Sequence, residues 1–327
     1  MGVVCGEASE RQRTCCGWRG WRLVANMTMN QAMRVIVTGT GGRLGGAVAR
    51  HLRLRGHRVV AWDRKAVDLG EPERIDDHFG AAAYDAVVHC AAATSLEWCE
   101  LNPEEAAVVN AEASGRIARH CREQGARMVQ VSTDYVYDGT VPGLRREGDL
   151  LAPCGVYART KLAGERAVVE SGARVVVARV SWVFGPDRPA FPDQLIERAR
   201  REETCAAIGD KWSTPCYSVD LAEQIEGLLG MEEVEGVFNL GNTGECTWQE
   251  YGQAALDLVA EMGIPLRCRT VGAQTLAEMT GFLAPRPVYT AMDLTKLRAL
   301  GIPARPWREA LREYVRTYYV AGSQSAE

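Results

Sequence analysis

The residue types best able to do chemistry lie in two short stretches. In Tyr157-Ala158-Arg159-Thr160-Lys161 a phenol and an ammonium stand four residues apart, a spacing that a helix places on one face. A nearby cation favours the phenolate, so Lys161 is expected to lower the Tyr157 pKa from its usual value of about 10. Tyr157 can then protonate a carbonyl oxygen while hydride reaches the carbon. Upstream, Ser132-Thr133-Asp134 closes an apolar run, and a hydroxyl there can bond the same carbonyl. The other stretch, Thr38-Gly39-Thr40-Gly41-Gly42-Arg43-Leu44-Gly45, is a G-x-x-G-x-x-G turn between a β-branched run and a helical pattern. Gly39 suits the tight turn, Gly42 lets backbone approach a pyrophosphate, and Gly45 allows close helix–strand packing.

Asp63 follows Gly45 by 18 residues and ends a second apolar run. It is placed either to accept hydrogen bonds from an adenosine ribose or to cap the strand end. Arg64 beside it can pair with a 2′-phosphate, which leaves NADPH and NADH both open. Asp68 and Leu69 either flank the adenine or lie in a solvated loop.

Four short apolar runs must position these groups: Arg34–Thr38, Arg58–Trp62, Ala86–Ala91 and Arg127–Ser132. Helical patterns fall between them, at Leu44–Leu54 and from Pro103 to about Gln124. A helix over Val156–Glu170 and a strand over Arg174–Val183 follow. Buried strands alternating with amphipathic helices imply a doubly wound parallel α/β sheet of Rossmann type, with active groups at the strands' carboxyl ends. After residue 185 the pattern changes to shorter elements: helices near Gln194–Arg201 and Asp220–Leu229 and a strand at Gly236–Leu240. A helix capped by Thr247 and Glu250 comes next, and a last one spans Trp307–Tyr319. The expected organisation is a disordered extension over 1–32, a dinucleotide-binding domain over 33–185, a smaller and mainly substrate-binding lobe over 186–320, and a tail over 321–327.

Composition narrows the function classes. The 327 residues carry a net charge of −4, with no basic footprint for nucleic acid. No apolar run approaches a membrane span, and residues 1–32 lack the apolar core of a secretory signal. Eleven cysteines without a C-x-x-C pair, and five dispersed histidines, point to reduced thiols in a cytoplasm and to no metal site.

Gly39, Gly42 and Gly45, the Ser132-Thr133-Asp134 strand end, and Tyr157 with Lys161 together resemble the extended short-chain dehydrogenases. Val131–Gly139, Val156–Glu165, Arg179–Phe184, Arg286-Pro287 and Asp293–Leu297 further resemble the dTDP-4-dehydrorhamnose reductase family, over about Met33 to Tyr319. The resemblance implies a reductase of a nucleotide-linked keto-sugar, monomeric or homodimeric, using NADPH or NADH. It implies Thr133, Tyr157 and Lys161 as the catalytic set. Gly39, Gly42, Arg43, Leu44, Gly45, Asp63, Arg64, Asp68, Leu69, Ala91, Ala92, Ala93 and Asn110 would line the cofactor, together with Tyr157 and Lys161. Thr94, Asp134, Trp182 and Arg286 would face the substrate, with Trp182 equally readable as core packing and Asn110 as a backbone-bonding residue. Ala93, Glu97 and the Ser213 and Cys216 of Lys211–Cys216 depart from the family pattern near the sugar. An epimerase shares these motifs. So does a non-catalytic NAD(P)-binding regulatory subunit like the beta subunit of methionine adenosyltransferase, because fold alone does not decide function.

Overall fold

Six strands make one parallel sheet in the computed structural model, which describes residues 32–320. The expectations for residues 1–31 and for the tail lie outside the described residues. The strands are β1 (Arg34–Thr38), β2 (Arg58–Trp62), β3 (Ala86–His89), β4 (Arg127–Thr133), β5 (Arg174–Val180) and β6 (Gly236–Asn239), ordered β6-β5-β4-β3-β1-β2. The helices used below are α1 (Arg43–Leu54), α2 (Pro72–Ala81), α3 (Leu96–Leu101), α4 (Ala113–Gln124), α5 (Val156–Glu170), α6 (Phe191–Arg201), α7 (Ser218–Leu229), α8 (Trp248–Glu261) and α9 (Trp307–Val315).

Strand residues alternate between faces, and both faces are covered. Val35 and Val37 pack on one side with Leu44, Val48 and Leu52 of α1 and with Leu221 and Ile225 of α7. Ile36, Met128 and Val175 pack on the other with Phe79 of α2 and Ile117 and Cys121 of α4. Two-sided burial explains why β4 reads as an unbroken run: all seven of its residues are buried. The order reverses between β1 and β3, which opens the crevice at their carboxyl ends where ligands bind in such sheets.

Three features depart from the sequence expectation. Gly236–Asn239, read with the second lobe, is the edge strand beside β5, and α7 covers the first core, so the chain returns to the main sheet after residue 185. The strand expected through Val183 stops at Val180. Trp182 takes a φ of 27°, the only positive value at a non-glycine among the described residues, and Val183–Phe184 then pairs with Cys216–Tyr217. The helix from Pro103 is interrupted by a π-helical turn over Val108–Glu112 before α4 begins. A second core collects Leu195 and Ile196 of α6, Tyr251 and Val259 of α8, and Leu311 and Tyr314 of α9. The expected cap at α8 forms: Thr247 Oγ1 accepts from Glu250 N at 3.1 Å, and Glu250 accepts from Thr247 N at 2.9 Å. Among the described residues no helix is long and apolar enough to cross a membrane.

Candidate active site

The glycine turn is built for close approach. Gly39 has a φ of +69°, and a Cβ there would lie 2.7 Å from the Ala91 nitrogen. A Cβ on Gly45 would run into the Gly39 carbonyl oxygen. Neither position accepts a side chain, so β1, α1 and the end of β3 draw together. Thr38 Oγ1 ties the strands by bonding His89 Nδ1 (2.7 Å) and accepting from Ala91 N (3.2 Å). Helix α1 follows Gly42, which provides no side-chain cap, leaving its first-turn amides for an anion. A dinucleotide pyrophosphate fits this cradle.

The remaining cofactor candidates vary in how they stand. Asp63 Oδ1 accepts from Lys65 N and Ala66 N at 2.9 and 3.0 Å, so one oxygen caps the turn and the other stays available. Arg64 extends into solvent with its side chain 88% exposed and pairs with Asp68 at 3.1 Å. Leu69 is buried in the core beneath. Arg43 donates to the Arg188 and Pro189 carbonyls, joining α1 to the loop before α6. Asn110, in the π-turn, accepts from Ala93 N (2.8 Å) and donates to Ala93 O and Thr160 Oγ1 (3.1 Å each). It thereby fixes the Ala91–Ala93 segment rather than facing open space; Ala92 is held within the same run.

The catalytic candidates meet at the end of β4. Thr133 closes the strand, and α5 carries Tyr157 and Lys161 beneath it; Val156 N at the helix start donates to Glu100 of α3. One expectation is corrected here. Burial pushes the Tyr157 phenol above its usual value, the neighbouring Thr133 hydroxyl acts the other way, and Lys161 is not among the groups that move it. The lysine is itself buried, its pKa drawn down from 10.5 to about 8, and its Nζ donates to the Val131 carbonyl at 2.7 Å.

On the substrate side, Asp134 is not an open acceptor. It is 2% exposed, and its oxygens accept from Thr133 Oγ1 (3.1 Å), Ser181 Oγ (2.7 Å) and Ser213 Oγ (2.8 Å). The unusual Ser213 is thus part of a hydroxyl cluster that holds Thr133. Arg286 donates to Glu97 at 2.7 Å and to the Ala284 carbonyl at 2.8 Å, which gives Glu97 a place in the site. Thr94 is exposed in the loop two residues before α3. Trp182 packs edge-on to Trp248, 5.6 Å between centroids, so it is partly core, yet its indole N–H is buried without an acceptor. Sequence reasoning missed Lys211, whose side chain is fully buried among these residues. Its only signal was membership of the divergent Lys211–Cys216 segment.

A doubly wound dinucleotide fold presenting Thr133, Tyr157 and Lys161 beside its switch-point crevice is that of an extended short-chain dehydrogenase/reductase. The chain belongs to the family described as the RmlD substrate binding domain, whose model matches residues 33–320. It is 34% identical over 291 residues to the dTDP-4-dehydrorhamnose reductase of Mycobacterium tuberculosis, covering 85% of this chain and 91% of that one. It is 31% identical over 282 residues to the spore coat polysaccharide biosynthesis protein SpsK of Bacillus subtilis, covering 86% and 96%. The solved dTDP-4-dehydrorhamnose reductase of Bacillus anthracis in complex with NADP matches with a TM-score of 0.81 and 27% identity, covering 88% of this chain and 100% of that one.

Proposed function

We propose that the protein reduces the C4 ketone of a dTDP-linked 6-deoxy-4-keto-hexose with NADPH or NADH. The observation that carries this reading is the convergence of Thr133, Tyr157 and Lys161 at the carboxyl end of β4, with β3 alone between it and the strand that leads into the glycine turn. When bound, the nicotinamide supplies the hydride. The glycine turn, Asp63 and Ala91–Ala93 would hold the dinucleotide, and Lys161 would bind its ribose. Tyr157 gives its proton to the ketone oxygen, and the Thr133 hydroxyl polarises that oxygen once its single proton turns from Asp134 to the substrate. Asp134 acts through Thr133 by holding its hydroxyl in place until the ketone enters, while Trp182, Arg286 and Thr94 border the sugar nucleotide. Residues 33–185 then serve mainly the cofactor and 186–320 mainly the substrate.

The test is NADPH consumption by the purified protein with dTDP-4-keto-6-deoxyhexose, and NMR of the product. Loss of absorbance with a new C4 carbinol supports the reductase. Cofactor binding without turnover supports the regulatory-subunit alternative, and sugar interconversion without net NADPH loss supports an epimerase. The same reading places the enzyme in the cytoplasm as a monomer or homodimer, which light scattering and fractionation check.

A further inference from the structure

Lys211 lies between the short strands Cys205–Ile208 and Trp212–Ser213, on a backbone pinned from both sides. Asp210 accepts from Leu276 N at 2.7 Å, Trp212 exchanges backbone bonds with Val288 and Thr290 at 2.8 and 3.0 Å, and its ring stacks on Tyr289. The inward direction of the side chain is therefore fixed. Its exposure is 0%, yet Nζ has no hydrogen-bond partner. Two aromatic faces lie near it, Tyr135 at 4.9 Å and Trp182 at 5.6 Å from the ring centroids, and these stabilise a cation without accepting its three N–H bonds. The carboxylate that acts on it, Asp134, already receives three hydroxyls. A lysine buried only for structure is expected to find an acceptor, as Lys161 does on the Val131 carbonyl.

Lys211 is not alone. Trp182 Nε1 and Arg286 Nε are also buried without acceptors. Arg286 is close enough to act electrostatically on both Lys211 and Tyr135, and the Tyr135 ring is edge-on to Tyr157, 6.2 Å between centroids. Buried donors without acceptors, gathered on the substrate side of the proton donor, call for a ligand rich in anionic oxygen. The strained backbone at Trp182 falls in the same place.

We propose that Lys211 is a substrate-binding residue whose ammonium donates to a phosphoryl oxygen of the sugar nucleotide, alongside Trp182 and Arg286. The inference rests on the reductase reading. Its test compares wild type with Lys211→Met, which keeps the length and apolar stem of the side chain and removes the charge. Affinity for dTDP-glucose, which carries no ketone to reduce, is measured by calorimetry. The KM for the dTDP-keto-sugar and for NADPH, and the melting temperature, are measured in parallel. The expected result is a fall of about 10–100-fold in dTDP-glucose affinity and a similar rise in sugar-nucleotide KM, the range for losing a charged hydrogen bond. NADPH KM stays unchanged, and the melting temperature rises by about 3–6 °C because a buried unpaired charge has gone. Unchanged dTDP-glucose affinity overturns the proposal whatever the melting temperature does. So does a loss of kcat and stability together with KM unchanged. A wild type that binds dTDP-glucose but never consumes NADPH defeats the reductase reading, while the affinity comparison still decides the role of Lys211.

Discussion

Tyr157 keeps its proton across the neutral range because burial pushes its phenol above the usual value. In the proposed reaction the general acid needs that proton in place before the ketone arrives, so desolvation would load Tyr157 for the step rather than disable it. Tyr157→Phe keeps the ring and removes the acid. Turnover should fall on the order of 10²–10⁴-fold while cofactor binding survives, as stopped-flow kinetics and NADPH titration would show. A variant with near-normal turnover would remove Tyr157 from the mechanism. In the proposed function, cofactor choice would lie with Asp63 and Arg64. Asp63 retains one free oxygen beside its turn-capping bonds, so Asp63→Ala should shift preference toward NADPH and also loosen the turn. Arg64 is solvent-exposed and tied to Asp68, so Arg64→Ala should move preference toward NADH by only about two- to five-fold. The ratio of kcat/KM for the two cofactors reads both changes.

Helix α5, which carries the proposed acid Tyr157, depends on a contact that is invisible in local sequence. A Cβ on Gly164 would run into the backbone carbonyl of Asn110, within the π-turn, while Asn110 itself holds Ala93 and Thr160. The turn, the end of β3 and the helix bearing Tyr157 and Lys161 thus form one unit. Gly164→Ala should separate them, lowering kcat at least ten-fold and the melting temperature with it, because a backbone carbonyl has little room to yield. Gly80→Ala provides the contrast: nothing lies within 4 Å of that position in α2, so the change should be neutral or stabilising by up to about 1 kcal/mol. Calorimetry on both variants separates the two cases. The same distinction explains what could be read in advance. The parallel sheet, the glycine turn, the Tyr157 helix and the Thr247 cap are written in short-range pattern, because each follows from burial or from bonds within a few residues. The π-turn, the break at Trp182, the return of Gly236–Asn239 to the sheet and the acceptor-poor surroundings of Lys211 depend on partners dozens of residues away. The expected lowering of the Tyr157 pKa failed for that reason: spacing places Lys161 on the same face, but only the fold shows its ammonium engaged by Val131.

Across the whole molecule, buried thiols and buried lysines set opposite responses to alkali. Burial lowers Lys161 and Lys211 from 10.5 to about 8. The folded state therefore binds fewer protons than the unfolded chain between these values, and stability rises with pH there. Burial raises Cys90, Cys121 and Cys216 from 9.0 to about 12, and Cys99 and Cys205 to about 11. For these the unfolded chain loses protons first, so their contribution is complete below pH 9 and is lost as pH climbs toward the folded values. Each proton difference changes stability by about 1.4 kcal/mol per pH unit. Up to about pH 8.5 the two lysines dominate, whereas above it the more numerous thiols outweigh them. Tyr137, raised from 10.0 to about 12 by burial, adds to the loss from pH 10 upward. Urea denaturation under reducing conditions should show a shallow maximum in midpoint between about pH 8 and 9, followed by a steady decline. Lys211→Met should raise the midpoint at pH 7 and flatten the rise toward that maximum, leaving the alkaline decline intact. A midpoint that climbs without interruption to pH 10 would mean that the thiols are not shielded as the fold indicates.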